Sequence, residues 1–245
     1  MLGRARSRGG RPIGAIDFER FDVLTFDCYG TLIDWEAGLL AALRRILEPR
    51  GIEASDDQLL ERYAAHEGAL EAGPYLRYRE VLARAADSVC AELGIQPTSR
   101  ELATFGGSVA DWPAFPDSSD ALAALQRRFA LAVITNCDDD LFAASNRRLG
   151  ITFDFVITAQ QVGAYKPSRR NFEVAFERLD RPRDRILHVA QSLYHDHVPA
   201  KALGLTTVWV NRRHDRPGSG ATPPADATPD LVVPDMATFA SLAAG

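Results

Sequence analysis

The run Phe21-Asp-Val-Leu-Thr-Phe-Asp27, followed by Cys28-Tyr29-Gly30-Thr31-Leu32, decides how the rest of the chain is read. Apolar and β-branched residues crowd its first six positions, which predicts a short buried strand. The strand ends on a carboxylate, and Gly30 behind it signals a turn. Parallel sheets gather their ligands at the carboxyl ends of their strands, so Asp27 becomes the first candidate for chemistry.

Working outward, the next stretches have helical spacing: Trp35 to Arg50, Asp56 to Glu71, Tyr75 to Leu93 and Ser99 to Ala110. A second strand pattern arrives only at Phe129–Thr135. An interval of about 100 residues is far too long for one crossover, and it carries its own apolar faces, so it reads as an inserted helical cap domain. Beyond it, strand patterns at Phe153–Thr158, Arg185–Ala190, Thr206–Val210 and Leu231–Val233 alternate with helical ones at Asp139–Leu149, Arg169–Leu179, His197–Leu203 and Asp235–Ala243. That alternation defines an α/β fold with a parallel sheet covered on both faces. The expected division is a basic tail over 1–16, a core over 17–34 and 113–245, and a cap over 35–112. The Pro- and Gly-rich stretch His214–Asp230 reads as a loop.

Composition narrows the class. The 245 residues are 46% hydrophobic and 25% charged, enough to bury a core. A net charge of −5 argues against a general nucleic-acid binder. No apolar run reaches the roughly 18–20 residues of a membrane span. Arg4, Arg6, Arg8 and Arg11 have no apolar stretch behind them, so the start is not read as a secretory signal. Three cysteines, Cys28, Cys90 and Cys137, make no disulfide framework, and a cytoplasmic location is expected. Of the 28 basic residues only Lys166 and Lys201 are lysines. A lysine here is therefore less readily dismissed as surface filler.

Four strand ends supply a coherent set. The first gives Asp27 and Thr31, the second Thr135 and Asn136. The third is followed by Lys166-Pro167, and the fourth by Gln191-Ser192-Leu193-Tyr194-His195-Asp196. A carboxylate is a weak nucleophile in water because it is well hydrated. At a strand end it can be desolvated and aimed by the turn behind it. Lys166 is expected to keep Asp27 ionised. His195-Asp196-His197 is not read as a metal site, because residues two apart leave a helix on different sides and no further ligand cluster accompanies them. Cys28 and Cys137 read as small buried residues.

The string Asp27-Cys28-Tyr29-Gly30-Thr31-Leu32, with Thr135-Asn136, Lys166-Pro167 and the late Asp196, resembles the haloacid dehalogenase superfamily. The resemblance runs from about Phe21 to Thr222. It implies a Rossmann-like parallel sheet core, a helical cap and an aspartate that forms a covalent intermediate. Most members resemble phosphatases, with a second Asp two residues after the nucleophile and an acidic pair that binds magnesium. This chain has Tyr29 and Gln191 at those places. A phenol with a reference pKa of about 10 is a poor neutral-pH acid, and a neutral amide weakens a magnesium site. Both changes suit a leaving group that needs no proton, so no metal and no cofactor are expected.

Tyr29 is shared with the 2-haloacid dehalogenase branch. That resemblance implies attack by Asp27 on the alpha carbon of a small 2-substituted carboxylate, (S)-2-haloacid dehalogenase-like, with an ester intermediate. Water activated or oriented by Asp196 then cleaves the ester, with Lys166 between the two carboxylates and Thr31, Thr135, Asn136 and Ser192 supplying hydrogen bonds. Arg62 in the cap is expected to bind substrate, its planar fork suiting a carboxylate. Trp35, Tyr75, Tyr78, Trp112 and Phe115 are candidate walls, and His195 a candidate substrate contact. Phe172 stands where that branch has Tyr. The stretches Asp27 to Glu36, Trp112-Pro113-Ala114-Phe115-Pro116-Asp117, Ser192 to His197 and Arg212-Arg213-His214 look closer to azetidine-2-carboxylate hydrolase, which opens a strained ring by the same attack. A magnesium-dependent phosphatase and a non-catalytic binding module are the rival functions. The expected partner is a small carboxylate, with no nucleic acid or membrane, and a homodimer is allowed.

Overall fold

Six strands, Val23–Phe26 (β1), Ala130–Thr135 (β2), Phe155–Thr158 (β3), Ile186–Ala190 (β4), Thr206–Val210 (β5) and Leu231–Val233 (β6), pair in the order β3-β2-β1-β4-β5-β6 in a computed structural model describing residues 16–213 and 222–245. Every neighbouring pair is parallel. The chain reverses its direction of travel across the sheet at β1, so β1 and β4 flank the switch point at which such sheets hold ligands. All residues of β1 and β4 are buried, which is why both read as continuous runs rather than alternating ones.

The helices, numbered along the chain, are Trp35–Leu47 (α1), Asp56–Glu71 (α2), Tyr78–Glu92 (α3), Ser99–Gly106 (α4), Ser118–Leu125 (α5), Asp139–Leu149 (α6), Ala159–Val162 (α7), Arg170–Leu179 (α8), Val198–Ala202 (α9) and Met236–Ala244 (α10). One sheet face packs against a core that includes Leu122, Leu125, Phe142 and Phe239, and the other against Phe172, Ala175, Leu179 and Ala200. Among the described residues no helix is long and apolar enough to cross a membrane.

Helices α1 to α4 leave and rejoin the core through one narrow neck. Asp34 N–H donates to Pro113 O at 2.8 Å, Phe115 N–H donates to Leu32 O at 3.0 Å, and Ile33 bridges Ala114 in antiparallel fashion. Trp112 fills the neck: it is fully buried, and a Cβ on Gly38 would lie 2.3 Å from its ring. Only glycine allows that approach. Serine and threonine start two helices of the insert with reciprocal capping boxes, Ser55 with Gln58 and Thr98 with Glu101.

Differences from the sequence expectations are local. The stretch Ser99 to Ala110 breaks at Gly107 into α4 and a short turn, Ser108–Asp111. Helix α5 was not anticipated. The helix expected from His197 is preceded by a π-type turn, Leu193–His197, and begins as α9 at Val198. The expected tail over 1–16 lies, Ile16 apart, outside the described residues, as does 214–221 of the expected loop.

Candidate active site

Asp27 follows the last residue of β1, and its N–H still donates to Val189 O at 3.1 Å, so the sheet fixes its backbone. The turn behind it needs Gly30, whose φ of 92° side chains rarely tolerate. Thr31 comes back over the nucleophile: its hydroxyl donates to Asp27 Oδ2 at 2.7 Å and accepts from Gln191 N–H at 2.9 Å. One hydroxyl thus ties the loop after β1 to the loop after β4. Arg212 braces the same turn. It donates twice to Thr31 O, pairs with Asp117 through Nη1 at 2.9 Å and lies over the Phe115 ring.

Lys166 is the keystone. Its side chain is 1% exposed, and its ammonium donates to Asp27 Oδ1 at 2.8 Å, Asp196 Oδ1 at 2.6 Å and Ile134 O at 2.9 Å. An ammonium has three donors, and all are spent. Asn136 seats the lysine backbone from both sides, accepting from Lys166 N–H at 2.7 Å and donating to Lys166 O at 3.1 Å.

Asp196 sits in the π-type turn, whose start Ser192 caps by accepting from His195 N–H at 2.9 Å. His188, buried in β4, places its Nε2 3.0 Å from Asp196 Oδ1 and its Nδ1 2.9 Å from the Thr25 hydroxyl. Oδ2 of Asp196 is buried with no protein partner, although Asp196 lines the cavity.

Electrostatics separate the two carboxylates. Burial pushes Asp27 up, the Lys166 charge pulls it down, and the charge on Asp196 pushes it up again, leaving it above the ordinary aspartate value. Burial also disfavours the charged form of Asp196, but Lys166 and His188 outweigh it and hold that carboxyl below the ordinary value. Burial disfavours the Lys166 ammonium, but the two carboxylates win and keep it protonated. Asp27 is the more basic member and so the better nucleophile. Asp196 is the fixed anion. Burial draws the His195 imidazole down to about 4, so it stands neutral at pH 7.

The cavity is lined by Asp27, Tyr29, Trp35, Asn136, Lys166, Ser192, His195 and Asp196, together with Glu67, Glu71, Tyr78, Gln191 and Thr222. Five sequence-expected contacts and walls are not in it: Arg62, Thr135, Trp112, Tyr75 and Phe115. Arg62 lies on the outside of the insert, where Nη1 donates to Glu92 at 2.7 Å beside His66. It falls one position off the buried stripe of α2, and one residue turns a helix by about 100°. Trp112 is spent on the neck. Thr135 is buried beneath the cavity, its hydroxyl without a partner.

Tyr29 lines the cavity with its ring only. Its hydroxyl is tied to Cys137 Sγ at 3.2 Å and Ser145 Oγ at 3.1 Å, and burial raises its pKa further. The position two residues after the nucleophile therefore offers a wall and no acid. The donor set does not fit a divalent cation either. The Lys166 ammonium occupies the interval between the two carboxylates, Gln191 is neutral, and no group of three or more metal-ligating side chains occurs among the described residues.

Sequence reading missed Glu67, Glu71, His188 and Thr25. The first two had a visible signal: Leu60, Tyr63, Glu67 and Glu71 are spaced 3, 4 and 4 apart, so the two acids continue the buried stripe of α2. His188 lies inside a strand, where nothing in the sequence separates it from core.

Fold and site put an aspartate at the end of the first strand of a Rossmann-like parallel α/β sheet, beside a buried lysine. The chain belongs to the haloacid dehalogenase-like hydrolase family, whose model it matches over residues 21–204. It is 27% identical over 204 residues, 78% of this chain and 85% of the relative, to (S)-2-haloacid dehalogenase H-109 of Pseudomonas putida. It is 26% identical over 232 residues, 92% and 99% of the two chains, to haloacetate dehalogenase H-2 of Moraxella sp. strain B. The structure of L-2-haloacid dehalogenase from Xanthobacter autotrophicus superposes with a TM-score of 0.77 at 22% identity, covering 92% of this chain and 99% of that one, which shows a shared fold.

Proposed function

We propose that this hydrolase displaces a leaving group from the alpha carbon of a small 2-substituted carboxylate, in the manner of an (S)-2-haloacid dehalogenase, with the helical insert 35–112 acting as its cap. Asp27 forms a C–O bond to the substrate carbon, and the leaving group departs with the bonding electron pair. Water then adds to the Asp27 carboxyl carbon. The negative charge that develops on the oxygen not bonded to substrate is met by the donor already held there before reaction, Lys166 on Oδ1 or Thr31 on Oδ2. The acyl–oxygen bond breaks, returning Asp27 and a 2-hydroxy acid. Asp196, through its unpartnered Oδ2, orients the water and takes its proton.

The observation that carries this reading is the shared ammonium: Lys166 bridges Asp27 and Asp196 while the neighbouring Tyr29 offers no acid. Halide, the anion of a strong acid, needs none. A single turnover in heavy-oxygen water tests it, with 2-chloropropionate, azetidine-2-carboxylate and a phosphate ester plus magnesium as substrates. The expected result is halide release with the label in the peptide bearing Asp27. Label in the first-turnover product and none in the peptide overturns it.

A further inference from the structure

Asp196 is held by more than Lys166. Its Oδ1 meets two donors, the Lys166 ammonium at 2.6 Å and the His188 imidazole through Nε2 at 3.0 Å, whereas Oδ2 meets none. One carboxylate oxygen accepts about two such bonds, so Oδ1 is filled. The His188 and Asp196 side chains are 0% and 1% exposed, so bulk water does not compete for their contact.

His188 is itself aimed by its neighbours. Thr25 and His188 are register partners across β1 and β4, which puts both side chains on one face of the sheet. The Thr25 hydroxyl lies 2.9 Å from His188 Nδ1, and its other partner, Leu187 O, is farther away at 3.4 Å. Phe172 packs edge-on against the imidazole, 5.1 Å between centroids, and its phenyl ring brings no competing hydrogen-bonding group. The tautomer follows from these partners. A carboxylate only accepts, so the proton between His188 and Asp196 lies on Nε2, and Nδ1 is left to accept from the Thr25 hydroxyl. Lys166 cannot make the same selection, because an ammonium is a point charge that either carboxylate oxygen satisfies. A planar ring fixed in a strand offers its N–H in one direction only. It therefore determines which oxygen of Asp196 is bound and which is left over.

We propose that Thr25 and His188 are positioning residues for the second half of the reaction: Thr25 selects the tautomer that donates through Nε2, and His188 locks the Asp196 carboxyl so that Oδ2 is the oxygen available to the hydrolytic water. This rests on the reading of Asp27 as nucleophile and of Asp196 as the group that takes the proton of the water. The first half, in which Asp27 bonds to the substrate carbon and the leaving group departs, makes no use of Oδ2. Loss of either residue is therefore felt in ester hydrolysis and not in ester formation.

Rapid mixing of excess enzyme with 2-chloropropionate separates the two halves. Chloride release reports ester formation, and the mass of the peptide bearing Asp27, followed in time, reports ester loss. His188→Leu removes the donor, His188→Gln returns an N–H near the place of Nε2, and Thr25→Val keeps shape while removing the hydroxyl. In His188→Leu, chloride release is expected within about threefold of wild type and ester loss about 10- to 100-fold slower, the scale of a misplaced catalytic group, so that the adduct accumulates. His188→Gln should recover most of that loss. Thr25→Val should slow ester loss alone by about 3- to 10-fold, the scale of one neutral hydrogen bond. Ester loss at the wild-type rate in His188→Leu, or equal slowing of both steps with no recovery in His188→Gln, overturns the proposal. If His188→Leu does not fold, unchanged ester loss in Thr25→Val overturns it equally. A wild type that never carries the adduct removes the nucleophile reading and this one with it, whereas an adduct that every variant hydrolyses at the wild-type rate removes this one alone.

Discussion

Asn136 and Lys166 hold each other through two reciprocal bonds, Lys166 N–H to Asn136 Oδ1 at 2.7 Å and Asn136 Nδ2 to Lys166 O at 3.1 Å. The amide thereby sets where the ammonium stands between its two carboxylates. Asn136→Ala is expected to lower kcat by about 10- to 100-fold with a smaller change in KM, the scale of a misplaced catalytic group. Steady-state kinetics on a 2-haloacid checks it, and an unchanged kcat would show that the lysine is placed without the amide.

Lys166→Met removes the counter-charge of two buried carboxylates. Breaking a buried pair costs about 3–5 kcal/mol, which in a chain of this size corresponds to a fall in Tm of roughly 10 °C. Adding Asp196→Asn should return part of the stability and no turnover. Thermal unfolding of both variants decides the point.

Asp27 must be ionised to attack, and its pKa lies above the ordinary 3.8 while that of Asp196 lies below it. Activity is therefore lost as pH falls through the raised Asp27 value. The acid limb of kcat/KM should stand above pH 3.8, and Asp196 should contribute nothing there. The stability terms have opposite signs. Asp196, with its folded pKa depressed, stabilises above pH 3.8, and that contribution disappears as pH falls through the depressed value. Asp27, with its folded pKa raised, contributes stability below pH 3.8 that is lost as pH rises through the raised value. An acid limb below pH 3.8 would contradict the assignment.

Arg62→Ala should keep kcat/KM within about threefold and move Tm by no more than about 2 °C, because exposed ion pairs contribute little. Its partner Glu92 and its own side chain are each 41% exposed. A hundredfold rise in KM would instead put Arg62 on the substrate and reverse the placement given by the structure.

The sheet was legible because its strands are largely apolar runs, and the strand predictions fall within two residues of those observed. Asp27, Lys166, Asp196 and Thr31 were legible because they end strands or follow turns. Arg62 misled because a guanidinium in a helix names a chemistry without naming a face, and Glu92, which claims it, lies 30 positions away. Glu67 and Glu71 were passed over because acids on a helix ordinarily face water. Their place on the buried stripe of α2 is visible in the spacing from Leu60 and Tyr63, but the hydrogen bond from Tyr78 to Glu67 comes from a second helix, which no local pattern records. Thr135 ends a strand as expected, yet it does not line the cavity, and its buried hydroxyl has no partner.

The scarcity of lysine has a practical side. Of the two in the sequence, Lys166 is sealed among three oxygen acceptors, whereas the Lys201 side chain is 33% exposed and touches only Asp230 among the described residues. An amine-selective reagent under native conditions thus meets a single side-chain target, on the short helix after β4, which does not line the cavity. With the N-terminal amine blocked, the enzyme can be tethered to a support or given one fluorophore there, with no residue needing to be engineered.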